Sequence, residues 1–428
     1  MDRVELKPKL LLGTASSATQ SDGGDFGHTW NLWYSAGKIR DGADPAIAAG
    51  HWDRWREDAI LMARMGIETC RMSIEWARIE PAEGQFDEYA IDRLKEELML
   101  LNGLGIRPLI TLHHFTNPLW FEAGGGWTDP KNIIYYLRYV ERVIRRLGHL
   151  CDDYITINEP NIYAMNGYRE GNWPPGNRNL NTAMTVMSVM AAAHIRAYRL
   201  IHRLRTEMGL TGTRVGTALH MRVFAPKNRA NPAHNAAASM AEWLFQTLLA
   251  EAVAKGRFSA PLRNFARVKP GRYCDFHGLN YYSRSTVSGL ADGARLHSAK
   301  SDLGWEIYPQ GLIQCAEKLM RLCSLPIYIT ENGVCDNNDA FRCRFIFDQL
   351  TAINRSSLPI ERYYYKSFLD EFQWLDGMSA KFGLVAVDPV TLQRTVKKSG
   401  RFYSALIREH TVTPELYEQF VAMESYHH

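Results

Sequence analysis

Residues 154–160 read Tyr-Ile-Thr-Ile-Asn-Glu-Pro, a run of aromatic and β-branched residues that stops at a carboxylate and a proline. Such a run is typical of a buried strand, and the proline cannot extend the strand's hydrogen bonding. Residues 329–333, Ile-Thr-Glu-Asn-Gly, repeat the pattern much later in the chain. Each stretch therefore places a glutamate, Glu159 or Glu331, where a predicted strand gives way to a loop.

An alternation of strands and helices extends from these two stretches over the whole chain. Strand-like runs occupy residues 10–15, 69–74, 107–112, 154–157, 214–220, 276–280, 327–330 and 363–368. Segments with helical periodicity occupy residues 51–65, 88–104, 130–149, 182–208, 237–255, 309–323, 340–354 and 399–409. Eight β/α units in sequence predict a parallel sheet, and eight is the number that closes a barrel. We therefore expect an α/β fold, a single (β/α)8 TIM barrel that forms one catalytic domain over residues 1–428.

An open, doubly wound sheet is the alternative to a barrel. The glycine-rich dinucleotide fingerprint that such sheets often carry does not follow the first predicted strand, which counts against this alternative. In a barrel the strand ends that carry chemistry face one rim. The residues just past the predicted strand ends are polar, aromatic or acidic, which is typical of a sugar pocket: Gln20, Glu75, His114, Asn158, Glu159, Tyr282, Glu331 and Lys366.

The two strand-end glutamates suit the cleavage of an acetal between sugars. That reaction needs one carboxyl group to protonate the leaving oxygen and another to attack the anomeric carbon or activate water. The chemistry needs carboxylates and hydrogen bonds, so neither a metal nor an organic cofactor is expected. The alternative for Glu159 and Glu331 is a pair of ordinary salt bridges at strand ends.

Composition narrows the function classes further. The hydrophobic fraction of 46% and the charged fraction of 22% are those of an ordinary globular protein, and the net charge is +4. A charge this small, without a basic run, argues against nucleic acid as a partner. We find no stretch long and apolar enough for a membrane span or a signal peptide, so we expect no membrane partner and a cytoplasmic location. The seven cysteines lack paired metal spacing and are expected to be buried, reduced thiols.

Several motifs, taken in order, resemble glycoside hydrolase family 1, the β-glucosidase family, over nearly the whole chain. Asn158-Glu159-Pro160 resembles the acid/base motif, and residues 329–333 resemble the nucleophile motif. The other matching segments are residues 18–23 with Gln20, 70–76 with Arg71, 111–115 with His114, 280–282 with Asn280 and Tyr282, and 304–309.

The resemblance implies a retaining, two-step mechanism. Glu331 would attack the anomeric carbon, and Glu159 would protonate the leaving oxygen and later deprotonate water. Arg71 would pair with the nucleophile, and Tyr282 would hydrogen-bond to it. We expect a dry setting to raise the pKa of Glu159.

The remaining matched positions imply contacts with the substrate. Gln20, His114 and Asn280 fall in segments that bind the sugar. Trp173 lies in a proline-rich loop, residues 171–176, and is our candidate for the leaving-group side. Three other tryptophan or histidine residues that lie near motifs are expected to be structural: His113, Trp120 and Trp127.

The final motif departs from the family pattern. Lys366 stands where a tryptophan usually stacks on the sugar, and Gln373 stands where a glutamate usually binds the outer hydroxyls. Trp374 is retained, and Glu371 replaces the usual asparagine. Lys366 adds a positive charge and Gln373 removes a negative charge, and both changes would suit an acidic glycon. The alternative is that Lys366 pairs with an acidic neighbour and that neutral glycons still bind.

We therefore expect a β-glycosidase similar to β-glucosidases, with a small β-glycoside or oligosaccharide as its substrate. Three alternatives stay open: an enzyme specific for an acidic glycon through Lys366 and Gln373, a transglycosylase, and a non-catalytic sugar-binding barrel. Hydrolysis and transfer share the glycosyl-enzyme, so the residues do not separate them. Nor do they indicate an oligomeric state.

Overall fold

The structure is a computed structural model that describes residues 3–24, 27–289 and 291–428. Eight parallel strands form its centre: β1 Leu11–Ala15, β2 Thr69–Ser73, β3 Arg107–Thr111, β4 Asp153–Asn158, β5 Arg214–Pro226, β6 His277–Ser288, β7 Ile327–Asn332 and β8 Ile360–Lys366. They pair in the order β5-β4-β3-β2-β1-β8-β7-β6, and β5 pairs with β6 to close the ring. The prediction of a (β/α)8 barrel is confirmed.

One helix is labelled after each strand of the barrel: α1 His51–Arg64, α2 Glu88–Gly103, α3 Ile133–Leu147, α4 Leu180–Glu207, α5 Leu248–Lys255, α6 Pro309–Leu322, α7 Arg342–Arg355 and α8 Lys398–Glu409. Further α-helices are Ala18–Ser21, Thr29–Ser35, Trp76–Ile79, Leu119–Ala123, Pro160–Ala164, Pro232–Glu242 and Pro414–Phe420. Single turns of 3-10 helix occur at Gly126–Thr128, Pro130–Asn132, Gly148–Leu150 and Trp374–Asp376. Segments of π-helix occur at Met165–Glu170 and Trp243–Thr247.

Short strands lie outside the ring. Val4–Glu5 pairs antiparallel with Thr411–Val412, and Val385–Val387 pairs antiparallel with Arg394–Val396. Ala291–Gly293 pairs antiparallel with the end of β6.

Helix α3 shows how the sequence pattern places the helices. Its buried residues recur every three or four positions, so one stripe faces the barrel and the opposite face carries arginines. The buried set is Ile133, Tyr136, Tyr139, Val140, Val143, Ile144 and Leu147.

Helix starts are specified locally as well, since the carboxylate of Asp87 accepts from the amide of Ala90 at the start of α2, 3.0 Å away.

A small apolar cluster drawn from seven strands or their first neighbours fills the centre of the barrel. Its members are Ala15, Leu109, Ile155, Ala218, Phe276, Tyr328 and Tyr364. The rings of Phe276 and Tyr328 stack with centroids 4.1 Å apart. The barrel is therefore packed through its middle, and polar chemistry is confined to the strand ends.

Two strands extend far beyond the ends that the sequence pattern predicts. β5 and β6 continue beyond the expected ends at residues 220 and 280, and they remain paired as far as Pro226 and Val287. The predicted helix 237–255 is also divided by the π-helical segment.

Membrane-spanning helices, metal-binding groups and disulfide bonds are absent from the described residues. Across residues 3–24, 27–289 and 291–428, no helix has the length and apolar character that a membrane crossing requires. The same residues contain no group of three or more histidine, cysteine or acidic side chains placed to hold a metal ion. All seven cysteines are free thiols, and six of them are buried.

Candidate active site

The carboxyl-terminal ends of the barrel strands, called the rim below, gather the two glutamates. Glu159 directly follows β4, and Glu331 lies near the end of β7. Asn280 of β6 is the register partner of Glu331, and His220 of β5 is the register partner of Asn280. Parallel pairing thus brings distant parts of the chain to one place.

Glu331 is held at both carboxylate oxygens. The Arg71 guanidinium forms an ion pair with Oε1, and the Tyr282 hydroxyl donates to Oε2 over 2.6 Å. Arg71 is 1% exposed and Glu331 is 4% exposed, so this ion pair lies away from solvent. A buried carboxylate requires such compensation, and the arginine supplies it.

Gly333 allows β7 and β8 to approach each other just past Glu331. A side-chain carbon at Gly333 would lie 1.8 Å from the carbonyl oxygen of Lys366, which is far inside van der Waals contact. Only glycine fits there without a backbone shift. The glycine of the nucleophile motif is therefore explained by packing.

Glu159 is held at one carboxylate oxygen. Its Oε1 accepts from Asn280 Nδ2 over 2.7 Å, and His220 Nδ1 lies 3.2 Å from the same oxygen. The backbone at Glu159 is left-handed, with φ of 42° and ψ of 59°, just before the helix that begins at Pro160. A left-handed conformation at a residue other than glycine costs roughly 1–3 kcal/mol and is common at active sites.

The expected rise in the pKa of Glu159 is wrong in its net direction. Burial does raise the pKa of this carboxyl group, but His220, the hydrogen bond from Asn280 and the charge of Arg71 lower it by more. The net pKa lies below the ordinary value for glutamate. The surroundings therefore favour the carboxylate form of Glu159.

Two asparagines connect the glutamates through Arg71. Asn158 Oδ1 accepts from Arg71 Nη2 over 2.7 Å and from Asn280 Nδ2 over 3.0 Å. Because Asn280 also donates to Glu159 and Arg71 also contacts Glu331, one continuous chain of polar contacts joins the two carboxyl groups.

His114 joins this chain from the loop that follows β3. Asn158 Nδ2 lies 3.2 Å from His114 Nε2 and donates to it, so the ring hydrogen sits on Nδ1. Burial, together with the positive charges of Arg71 and Lys366, lowers the pKa of His114 well below its usual value, which keeps the ring neutral. Among the described residues, nothing accepts a hydrogen bond from His114 Nδ1.

The remaining predicted substrate residues lie around Trp374. The Trp374 ring stacks on His114 with centroids 5.9 Å apart, and the Trp173 ring lies 5.7 Å away. Gln20 Nε2 donates to Gln373 Oε1 over 3.2 Å. Gln373 Nε2 is buried and has no partner among the residues that the structure describes.

Lys366 is paired with an acidic neighbour. Its ammonium group forms an ion pair with Glu371, and both residues are buried. The pKa of Glu371 lies above its ordinary value, because burial and the charge of Glu331 raise it by more than Lys366 lowers it. The pair therefore lies close enough to Glu331 to sense its charge. The added positive charge that the sequence suggests is therefore balanced locally.

The tryptophan and histidine residues that were expected to be structural lie outside this network. His113 is buried, with Nε2 2.9 Å from Asn117 Oδ1. Trp127 donates to the same oxygen over 3.0 Å, and Trp120 donates to the carbonyl of Glu80 over 2.8 Å. Trp173 contacts the site through Trp374.

The sequence motifs do not predict two contacts of the site, the contact of His220 with Glu159 and the contact of Arg222 with His220. The position of His220 could have indicated its contact, because His220 is the last residue of the predicted fifth strand and therefore lies at the same rim. Neither residue belongs to a matched motif.

The pairing of Lys366 with Glu371 predicts a stability effect. Lys366→Met should lower the free energy of unfolding by roughly 3–5 kcal/mol, because it leaves the buried Glu371 carboxylate without its partner. Lys366→Met combined with Glu371→Gln should regain most of that loss. Denaturant unfolding of the single and double variants measures the coupling, and the exposed Lys381→Met serves as the control. Additive effects would contradict the pairing.

Comparisons with known proteins cover almost the whole chain. The model of glycosyl hydrolase family 1 matches residues 5–412. "Beta-glucosidase A" of Thermotoga maritima is 27% identical, in an alignment that covers 93% of this chain and 97% of that protein. The beta-glucosidase of an Agrobacterium species is 29% identical and covers 93% of this chain and 94% of its own length. A solved beta-glycosidase from Pyrococcus horikoshii superposes with a TM-score of 0.90 at 31% identity, covering 98% of each chain.

Proposed function

The chain belongs to glycosyl hydrolase family 1 and is a glycoside hydrolase, and on that premise we propose that it is a retaining β-glycosidase with Glu331 as nucleophile and Glu159 as acid/base. The observation that carries the proposal is the unequal anchoring of two buried glutamates at one rim. Glu331 has both oxygens bound, whereas Glu159 has donors at Oε1 alone among the described residues. A fixed carboxylate suits attack, and a carboxyl group with one free oxygen suits proton exchange.

The first step forms a covalent intermediate. A Glu331 oxygen bonds to the anomeric carbon while the bond to the leaving oxygen breaks, and the protonated form of Glu159, which its surroundings disfavour, gives its proton to that oxygen. In the second step Glu159 takes a proton from water, the water oxygen bonds to the anomeric carbon, and the bond to Glu331 breaks. Arg71 and Tyr282 compensate the charge that returns to Glu331.

Binding of the sugar is assigned to the polar groups around Trp374. His114 Nδ1 and Gln373 Nε2 are buried donors without an acceptor among the described residues. An unmet buried donor costs roughly 1–3 kcal/mol, which a sugar hydroxyl would recover. Gln20 and Asn280 place further amide groups nearby, and the ring of Trp374 offers an aromatic surface.

A neutral glycon, such as glucose or galactose, is supported over an acidic one by the local charges. Lys366 is the only new cation in the final motif, and it already pairs with Glu371. An anionic group placed beside this pair would meet the negative charge of Glu371 as well as the positive charge of Lys366. Like-charge contacts in a buried site oppose binding.

Removal of the nucleophile gives the first test of the mechanism. Glu331→Ala should lower kcat by roughly 10⁴-fold or more, because no glycosyl-enzyme forms. Added azide should restore turnover and give a glycosyl azide of inverted configuration, since azide attacks the substrate directly. The matched control is Glu159→Ala, in which azide acts on the glycosyl-enzyme and should give the retained β-azide. Azides of the same configuration from both variants would reject the assignment.

The loss of rate that follows removal of the acid/base should depend on the leaving group of the substrate. Glu159→Ala should lower kcat/KM for a methyl β-glycoside by roughly 10²–10⁴-fold, because a poor leaving group needs protonation. The first-step rate for a 2,4-dinitrophenyl glycoside should change little, because this leaving group departs without a proton. Equal losses for both substrates would show that Glu159 is not the acid.

The glycon is tested by comparing kcat/KM for four p-nitrophenyl β-glycosides: the glucoside, the galactoside, the glucuronide and the glucoside 6-phosphate. We expect a neutral member to exceed both acidic members by roughly tenfold or more. Gln373→Glu is the matched variant and should widen the difference. A preference for an acidic member that Lys366→Ala abolishes would favour the acidic-glycon alternative. Turnover that requires a sugar or alcohol acceptor would favour transfer.

A further inference from the structure

His220 lies directly against the carboxyl group of Glu159. Its Nδ1 is 3.2 Å from Glu159 Oε1. Its ring stacks on the ring of Tyr282, with centroids 5.9 Å apart and planes 16° apart. Since Tyr282 binds Glu331, the imidazole contacts Glu159 directly and is linked to Glu331 through Tyr282.

Arg222, two residues further along β5, determines which nitrogen of His220 carries the hydrogen. Arg222 Nη2 lies 3.4 Å from His220 Nε2. A guanidinium group can only donate, so Nε2 accepts in this contact and a neutral His220 carries no hydrogen there. The hydrogen of a neutral His220 therefore sits on Nδ1 and points at Glu159.

Arg222 is itself held in place. Its Nη1 donates to Ser285 Oγ over 3.2 Å, and Asp292 lies 3.6 Å from the same nitrogen. The guanidinium also lies 4.9 Å from the ring centroid of Phe245. These contacts fix the donor that orients His220.

The hydrogen bond from His220 has two consequences for Glu159. Both donors, His220 and Asn280, reach Oε1, and none of the described residues donates to Oε2. The proton that Glu159 gives up in the first step is thereby assigned to Oε2. Donation to a carboxylate also favours its charged form, so His220 opposes protonation of Glu159.

Other charged or titratable groups face Glu159 and His220 from the neighbouring strands. They are Arg71 of β2, Arg222 of β5, Tyr282 of β6 and Glu331 of β7, with Asp292 behind Arg222. Burial and the two glutamates raise the pKa of Tyr282 well above its usual value, so Tyr282 stays a neutral donor. None of these groups can replace the N–H of His220 at Glu159 Oε1, because none of them contacts that oxygen in the described part of the chain.

We propose that His220 is a positioning residue that directs Glu159 Oε2 toward the glycosidic oxygen and sets the pH at which Glu159 changes from acid to base. The proposal rests on the proposed function, in which Glu159 is the acid/base. It adds a residue that none of the matched motifs contains.

The test is the pH profile of kcat/KM for methyl β-glucoside, whose basic limb reports loss of the proton from Glu159. His220→Phe keeps a ring against Tyr282 but removes the N–H. It should move the basic limb upward by about one pH unit, the size expected for loss of one hydrogen bond to a charged group. His220→Asn restores an N–H near the position of Nδ1 and should return the limb toward that of the wild type.

Two further measurements separate positioning from packing. With a 2,4-dinitrophenyl glycoside for which the second step limits turnover, the acidic limb of the pH profile of kcat reports protonation of Glu159, which acts as the base in that step. In His220→Phe this limb should also move to higher pH. His202→Phe, on helix α4 and bonded to Asp275, is the control and should leave both limbs in place. His220→Leu provides a second donor-free variant if His220→Phe does not fold.

The outcomes are distinguishable from failure of the proposed function. Glu159→Gln, measured alongside, should abolish the basic limb with methyl β-glucoside. If it does not, Glu159 is not the acid and the proposed function fails. If Glu159→Gln does abolish the basic limb, two results would overturn the role assigned to His220. In the first, the basic limb of the donor-free variants lies at the same pH as that of the wild type. In the second, it lies at the same pH as that of His220→Asn.

Discussion

The buried guanidinium of Arg71 is the interaction on which the rim depends. It extends from β2 and donates to Thr111 of β3 over 3.0 Å, to Asn158 of β4 over 2.7 Å and to the Thr330 carbonyl of β7 over 3.1 Å, besides pairing with Glu331. Desolvation of a lone carboxylate costs several kcal/mol, and this rim contains two glutamates away from solvent. One planar cation with donors in several directions offsets part of that cost and ties four strands together.

The same network makes the two glutamates chemically different. Glu331 lies between a cation and a phenol, so both of its oxygens are fixed. Glu159 receives N–H groups from His220 and Asn280 at Oε1, and no described residue donates to its Oε2. Two identical side chains thus have different surroundings, which is the arrangement by which paired carboxylates in one site can take separate roles.

The barrel could be predicted from the sequence because strand and helix periods alternate eight times, and the positions of Glu159 and Glu331 followed from strand ends. The extensions of β5 and β6 could not, because mixed polar and apolar residues beyond residues 220 and 280 give no strand period. The partner of Lys366 depends on the path of the loop that carries Glu371, which no local pattern encodes. The net pKa direction of Glu159 depends on His220, a strand away, whereas burial alone suggested the opposite direction.

The left-handed backbone at Glu159 shows how selection acts at this position. Glycine would adopt this conformation without steric cost, and asparagine would adopt it more easily than glutamate does. Pressure for folding stability alone would therefore remove glutamate from position 159. Under the proposed acid/base role, the chain gives up stability at this position for an aimed carboxyl group, and mutational drift without that catalytic demand would be expected to replace this residue early.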